Sequence, residues 1–280
     1  MAAATTTDRA EGLVGLEEAA RRAGLHYMTV YRHVRTGRLP AVQRDGRWWV
    51  DPTDLTQLAV RGYPGRGAGP ARWTDARRRL VDRMLAADHG GTWAVVEQAL
   101  TRGASPADIY LRLLGPGLAE VGRRWADGVT TVQGEHRATA VAVRVVGRLA
   151  PRFVGSGTPG GGTVLLGGAP GDPHLLPVVM AADLLRSRHV RVLDLGADVP
   201  EESYLEAAAT VPGVRAVGVS LSDSGRARAA AGVLRSLRRA HPGVLLLAGG
   251  PAVTDRNAAL ELGADGWAPD GLAAADLLQP

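Results

Sequence analysis

Two hydrophobic patterns divide most of the chain. Between residues 74 and 153, apolar residues such as Leu80, Met84 and Leu85 repeat at spacings of three and four, which is the period of one helix face. From residue 163 onward, short apolar runs alternate with helical stretches, a pattern typical of buried parallel strands. The sequence therefore predicts a multidomain protein of α and α/β class.

The middle of the chain contains four helix-like stretches, which are residues 74–88, 92–103, 105–128 and 131–153. Ser105 is a good N-cap residue, and Pro106 suits the first helical position. The connections are short, so the helices are expected to run antiparallel. We predict a four-helix bundle over residues 74–154.

The last third of the chain predicts a Rossmann-type parallel sheet of five strands within residues 160–280. The predicted strands are 163–168, 190–196, 214–220, 244–250 and 265–268. Ligands bind such sheets beyond the carboxyl ends of the strands. The polar residues and glycines that follow the strands there are Asp172, His174, Ser220, Ser222, Gly249 and Gly250.

The N-terminal part has a different organisation. Residues 16–24 and 25–37 each predict a short helix closed by glycine, with Val30 and Val34 on one face of the second. Asp45-Gly46 between AVQR and RWWV is a strong two-residue hairpin signal. We predict a winged helix-turn-helix domain over residues 1–60 and a Gly/Pro/Arg-rich linker over residues 61–73.

Charge points to a polyanionic partner for this N-terminal part. Residues 1–79 contain 14 Arg and 8 acidic residues, whereas the remainder contains 19 and 20, and Lys is absent.

The chain has no Cys, which excludes disulfides and thiolate chemistry. No apolar run is long enough for a membrane span or a signal core, so we expect a cytoplasmic protein.

Two common functional classes are disfavoured by missing motifs. The sequence has no G-x-x-x-x-G-K-[ST] phosphate loop and no strand–GxGxxG–helix unit. It also has no G-x-S-x-G nucleophile elbow, and its serines have no evident base.

The stretch MTVYRHVRTGRLPAVQRDGRWWVDPTDL, residues 28–55, resembles the winged helix-turn-helix of MerR and excisionase-type DNA-binding domains. The resemblance implies binding of double-stranded operator DNA, with the second helix in the major groove and the hairpin at phosphates. The residues that would contact DNA are Thr29, Tyr31, Arg32, Arg35, Arg44 and Arg47.

The C-terminal motifs, taken in order, resemble the flavodoxin-like cobalamin-binding domain, whose pattern is D-x-H-x-x-G, then S-x-L, then GG. The resemblance implies that His174 is the lower cobalt ligand, that Asp172 holds its other nitrogen, and that the later motifs line the channel for the nucleotide tail. The residues of those later motifs are Ser220, Ser222, Gly249 and Gly250. Pro177 stands where the family has the last Gly of its first motif, and Ser222 where Leu is commoner.

Trp125, nine residues and then Glu135-His136 resemble the W-x9-E-H signature of cobalamin-dependent photoreceptors of the CarH and LitR type. In that family, a bundle caps the upper face of the corrin. The resemblance implies that Trp125 packs against the upper adenosyl group, that Glu135 contacts it, and that His136 takes the upper cobalt position after that group leaves.

The resemblance covers nearly the whole chain and implies a light-responsive transcriptional repressor, not an enzyme, that uses adenosylcobalamin. Light would remove the adenosyl group and break a homo-oligomer, a tetramer in the dark, that binds DNA with avidity. Three alternatives stay open: a cobalamin or redox sensor without light response, a corrinoid carrier of a methyltransferase system, and a domain that has lost its cofactor.

Overall fold

The computed structural model describes residues 12–23, 27, 30, 31, 34, 39–45, 47–52, 54, 70–153 and 161–279. The chain divides into two compact units, Met1–Gly67 and Ala68–Pro280.

The N-terminal unit contains a three-stranded antiparallel sheet in the order β1-β3-β2. Its elements are β1 (Val14–Gly15), α1 (Leu16–Ala23), β2 (Ala41–Arg44) and β3 (Arg47–Val50). Arg44 pairs with Arg47 across the turn, which confirms the predicted hairpin. Val30 and Val34 are helical and buried in the core of this unit, as the spacing predicted.

Some predictions for this part fall on residues outside the described ones. These are the groove residues Thr29, Arg32 and Arg35 and the helix-closing glycines Gly24 and Gly37. Helix α2 begins at Pro70, inside the segment predicted as a linker to residue 73. Proline is well tolerated in the first turn of a helix, so Pro70 is compatible with a helix start.

The second unit begins with four helical stretches around a buried apolar core. The first two stretches are α2 (Pro70–Leu85) and α3 (His89–Thr101), and the fourth is α6 (Val132–Leu149). The third stretch is continuous and consists of α4 (Pro106–Asp108), a π-helical turn (Ile109–Leu114) and α5 (Gly115–Ala126). Ser105 caps the third stretch through a reciprocal capping box with Asp108. The predicted bundle is therefore present.

The π-helical turn was not predicted, and Pro116 provides its physical reason. Proline has no N–H, so the carbonyl of Arg112 cannot receive the usual α-helical bond. Instead, the Gly115 N–H donates to the Tyr110 carbonyl, five residues back. The Arg77 side chain donates to the freed Arg112 carbonyl at 3.3 Å.

The rest of this unit is a five-stranded sheet in the order β5-β4-β6-β7-β8, in which all neighbouring strands pair parallel. The strands are β4 (Thr163–Gly168), β5 (Arg191–Gly196), β6 (Val214–Ser220), β7 (Leu245–Gly249) and β8 (Gly266–Ala268). The helices between and after them are α7 (Leu175–Ser187), α8 (Glu201–Thr210), α9 (Ala227–Ala240), α10 (Arg256–Leu262) and α11 (Gly271–Leu277). This is the flavodoxin-like 2-1-3-4-5 order, as predicted.

The bundle packs directly on α7 of the sheet part. Leu176, Met180 and Leu184 of α7 belong to the bundle's own apolar core. The buried hydroxyl of Tyr110 donates to the buried carboxylate of Asp183 at 2.9 Å. This packing brings one face of the bundle close to the carboxyl edge of the sheet.

Candidate cofactor site

A cavity of about 1000 Å³ opens between the bundle and the carboxyl edge of the sheet. Its volume lies at the upper end of the range for small-molecule sites, so it suits a large ligand. It collects most of the residues that the sequence motifs indicated: Glu135, His136, His174, Ser220, Ser222, Gly249 and Gly250.

The loop after β4 holds a tightly coupled Asp–His pair. Asp172 is 1% exposed, and its Oδ1 lies 2.6 Å from His174 Nδ1. Because a carboxylate accepts hydrogen bonds, Nδ1 carries the hydrogen and Nε2 keeps its lone pair in the neutral ring. His174 lines the cavity, so it offers a nitrogen that can bind a metal.

Asp172 stays ionised because its oxygens accept several hydrogen bonds. Burial by itself raises the pKa of this carboxyl, but bonds from the Ser222 N–H, the His174 ring, the His174 N–H and the Asp223 N–H outweigh it and hold the pKa below its usual value. The strongest main-chain bond is from Ser222 at 2.6 Å. The same carboxylate thus joins the first loop to the loop after β6.

Pro177 fits the helix that it enters. Helix α7 runs from Leu175 to Ser187, which places Pro177 at its third residue. N–H groups in the first turn have no intrahelical acceptor, so the helix loses no bond there. The departure from the family's glycine therefore leaves the backbone of α7 intact.

Ser220 and the two glycines form the opposite side of the opening. Ser220 is 7% exposed, lines the cavity, and makes no hydrogen bond through its hydroxyl to any of the described residues. Gly250 has φ +96°, and a Cβ there would lie 2.6 Å from the Leu221 carbonyl oxygen. A Cβ on Gly249 would overlap the Ala268 carbonyl oxygen. Only glycine fits both positions.

The bundle contributes the upper wall through the first turns of α6. His136 Nδ1 lies 2.9 Å from the Val132 carbonyl oxygen and 3.0 Å from a Glu135 carboxylate oxygen. Both neighbours are acceptors, so Nδ1 carries the hydrogen and Nε2 is again free. The Thr139 hydroxyl donates to the other Glu135 oxygen at 2.7 Å.

Trp125 lies near the end of α5 and is 51% exposed. It is not among the residues that line the cavity in the described part of the chain. Val129 and Val132, in the following turn and helix, are exposed as well.

Three lining or supporting residues were missed at the sequence level. Tyr110 and Thr139 line the cavity, and the Asp183 carboxylate accepts a hydrogen bond from the Tyr110 hydroxyl. Burial raises the pKa of Asp183, although its bonds from Tyr110 and Arg186 oppose the rise. The available signal was weak: Thr139 follows Glu135 by one helical turn, and Asp183 is an acidic residue in an apolar stretch.

In the N-terminal unit, Arg44 and Arg47 are exposed at the hairpin. Tyr31 is half-buried and stacks with Tyr27 at 6.3 Å between ring centroids. These are the predicted DNA-contacting residues that the structure describes.

The donor set fits cobalamin better than a metal held by protein alone. Among the described residues, no group of three or more His, Asp or Glu side chains is placed to hold a metal ion. A corrin supplies its own equatorial nitrogens and needs only axial ligands. The free Nε2 atoms, the unpaired Ser220 hydroxyl and the glycine-lined opening match such a cofactor.

Within the described ranges, no helix is long and apolar enough to cross a membrane.

Comparison with known families identifies three domains. A B12 binding domain model matches residues 162–276, and a second B12 binding domain model matches residues 76–150. A helix-turn-helix domain model matches residues 13–59.

The relatives found among curated proteins are corrinoid proteins. Monomethylamine corrinoid protein 2 of Methanosarcina mazei is 25% identical over 147 residues, which are 51% of this chain and 67% of that protein. Monomethylamine corrinoid protein 1 of the same organism is 26% identical over 142 residues, 50% of this chain and 65% of that protein. The matches thus span about two thirds of each relative. The structure of the Methanosarcina barkeri monomethylamine corrinoid protein has a similar fold, with a TM-score of 0.63 and 23% identity over 73% of this chain and 97% of that one.

Proposed function

We propose that this chain is a light-responsive repressor that uses adenosylcobalamin. It has the CarH-like architecture, a helix-turn-helix domain followed by two B12 binding domains, and this architecture supports a cobalamin-dependent DNA-binding regulator. The observation that carries the proposal is the cavity in which His174 and His136 line the sheet wall and the bundle wall.

In this proposal, His174 provides the lower cobalt ligand through Nε2. The bond from Nδ1 to Asp172 fixes the tautomer and the ring orientation, and it makes the free nitrogen more basic. The Ser220 hydroxyl and the backbone at Gly249 and Gly250 receive the nucleotide tail. The Ser222 N–H keeps Asp172 in place, so Ser222 acts through its backbone as well as by lining the opening.

The upper wall would hold the light-sensitive side. When bound, adenosylcobalamin supplies a cobalt–carbon bond that visible light breaks. Glu135 offers carboxylate oxygens to a ribose, and Trp125 would cover the upper group with its half-exposed indole. His136 has a free Nε2 and would take the upper cobalt position after the adenosyl group leaves.

Loss of the adenosyl group would control DNA binding by breaking a homo-oligomer. A homo-oligomer, a tetramer in the dark, would place several basic heads on operator DNA, and avidity would make binding strong. Thr29, Arg32 and Arg35, which the sequence predicts on the second helix, would contact the groove or phosphates together with Tyr31. Arg44 and Arg47 would contact phosphates from the hairpin.

The deciding experiment is an absorption spectrum of the full chain, loaded with adenosylcobalamin in darkness and gel-filtered before and after green light. We expect retained cofactor, an irreversible spectral change and a later elution volume. His174→Ala should lose the cofactor, whereas His89→Ala, an exposed histidine on α3, should retain it. Retention by His174→Ala would refute its role as lower ligand.

Two alternatives predict different results. A sensor without light response would bind hydroxo- or methylcobalamin with the same effect on DNA affinity. A corrinoid carrier, favoured by the names of the curated relatives, would transfer a methyl group to an acceptor with a partner protein. The helix-turn-helix domain favours the regulator, since a carrier has no need for one.

A further inference from the structure

The cavity continues from the Ser220 opening down one face of the sheet. Every second residue of a strand lies on the same face, so Ala216, Gly218 and Ser220 of β6 share this one. The strand register places Val164 of β4 opposite Ala216. The four residues from Ser220 to Ala216 correspond to about 13 Å of strand, at roughly 3.3 Å per residue. Gly218 and Val164 both line the cavity, so the channel reaches this depth.

Below Ser220, the side chains that line this channel are apolar. Val164, Leu166 and Leu247 come from the strands, and Ala274 and Leu278 come from α11 and the residue after it. The polar side chains of the cavity lie elsewhere, on the bundle wall or at the carboxyl edge, and the Tyr110 hydroxyl is already bound to Asp183.

The strand backbones offer no free groups to the channel floor. β6 pairs parallel with β4 on one side and with β7 on the other, from Ala216 to Ser220. Its N–H and C=O groups are therefore engaged in the sheet. A polar group that entered the channel would lose its water without gaining a partner.

Resting on the proposed function, we propose that this channel selects corrinoids whose nucleotide ends in an apolar benzimidazole base and disfavours those that end in adenine. Apart from one ring nitrogen with a free lone pair, a benzimidazole presents apolar edges and methyl groups to the walls. Adenine carries an exocyclic amino group and additional ring nitrogens, which would be buried unpaired. The Ser220 hydroxyl lies at the mouth, about 13 Å above the level of Val164, too far to serve a deeply placed amino group.

The test compares three corrinoids on the full chain in darkness by titration calorimetry: adenosylcobalamin, its adenine-base analogue, and adenosylcobinamide, which lacks the nucleotide. We expect the adenine analogue to bind about tenfold to a hundredfold more weakly than adenosylcobalamin. Equal affinities, or a preference for adenine, would overturn the selectivity. Adenosylcobinamide binding as tightly as adenosylcobalamin would show that the channel takes no tail, and would overturn it as well.

A matched pair of variants isolates the channel. Val164→Thr keeps the shape of the side chain and places a hydroxyl in the channel. The ratio of the affinity for adenosylcobalamin to that for the adenine-base analogue should therefore fall at least about threefold. Val192→Thr makes the same change on β5 at the position paired with Val164, outside the cavity lining, and should leave the preference unchanged. Comparing this affinity ratio between the two variants cancels any intrinsic difference between the free corrinoids.

The outcomes separate this inference from the function on which it rests. Binding without discrimination refutes the selectivity and leaves the cobalamin-dependent regulator standing. Absence of binding for all three corrinoids refutes both. An unfolded Val164→Thr chain would be recognised by its melting curve, and the comparison on the unmodified chain then decides alone.

Discussion

Replacing Asp172 by Asn tests whether a buried charge holds the candidate site together. The carboxylate accepts bonds from the His174 ring, the His174 N–H, the Ser222 N–H and the Asp223 N–H, and the two shortest are 2.6 Å. An amide of the same shape is uncharged and has one acceptor oxygen, so both short bonds lose their charged acceptor and only one of them can keep an acceptor oxygen. A hydrogen bond to a charged group contributes about 1.5–3 kcal/mol.

The expected loss of about 1.5–3 kcal/mol converts to a measurable shift. For a unit the size of residues 68–280, each kcal/mol lowers Tm by about 2–4 °C, so Asp172→Asn should melt about 3–12 °C lower at pH 7. The assay is thermal unfolding followed by circular dichroism. Asp255→Asn is the control, since Asp255 is an exposed N-cap where Asn serves about as well.

The pH dependence distinguishes charge from packing. The pKa of Asp172 is lowered in the folded chain, so its stabilisation is fully present above the unfolded value of about 3.9 and is lost as pH falls through the folded value. The gap in stability between the unmodified chain and the Asp172→Asn variant should be constant from about pH 7 to 5 and should shrink below about pH 4. A gap that persists unchanged at pH 3, or no gap at pH 7, would refute the reasoning.

Three further outcomes follow from the structure. Gly250→Ala should destabilise the second unit by about 1–3 kcal/mol, because the backbone of Gly250 is left-handed and a Cβ there has no room. Gly243→Ala is the control, since a Cβ at Gly243 meets nothing within 4 Å, and urea unfolding of both variants measures the difference. Tyr110→Phe should cost about 1–2 kcal/mol by removing the hydroxyl that binds a buried carboxylate, and an unchanged urea midpoint would contradict that bond. Arg47→Ala should reduce the slope of log affinity for duplex DNA against log salt by about 0.9, whereas Arg102→Ala on the bundle should leave it unchanged; the readout is fluorescence anisotropy at several salt concentrations.

Much of the second unit could be predicted because its signals are local. The apolar runs of β4 and β6 end in Gly and Ser, and the predicted bounds of both strands agree with the structure. The parallel order then places the ends of β4, β6 and β7 at one edge, so Asp172, Ser220 and Gly249 meet although they are far apart in sequence.

The features that escaped prediction depend on distant partners. Tyr110 and Asp183 are separated by 73 residues, and neither residue type by itself indicates a buried bond. The π-helical turn needs Pro116 to act within a helix that continues, whereas a proline usually predicts a helix end. The exposure of Trp125 depends on what covers the end of α5, which spacing along one helix does not encode.

The two histidines of the cavity are held differently, and the difference suits the roles proposed for them. His174 Nδ1 donates to a buried carboxylate that is fixed by three main-chain N–H groups, so its ring is oriented by a charge within a rigid loop. His136 Nδ1 faces the Val132 carbonyl of its own helix and the partly exposed Glu135 carboxylate, and the His136 side chain is largely exposed. A carboxylate that is buried and held by main-chain N–H groups orients an imidazole more firmly than a carboxylate that is shared with solvent. His174 is therefore suited to constant coordination, and His136 to coordination that begins only when the upper position becomes free.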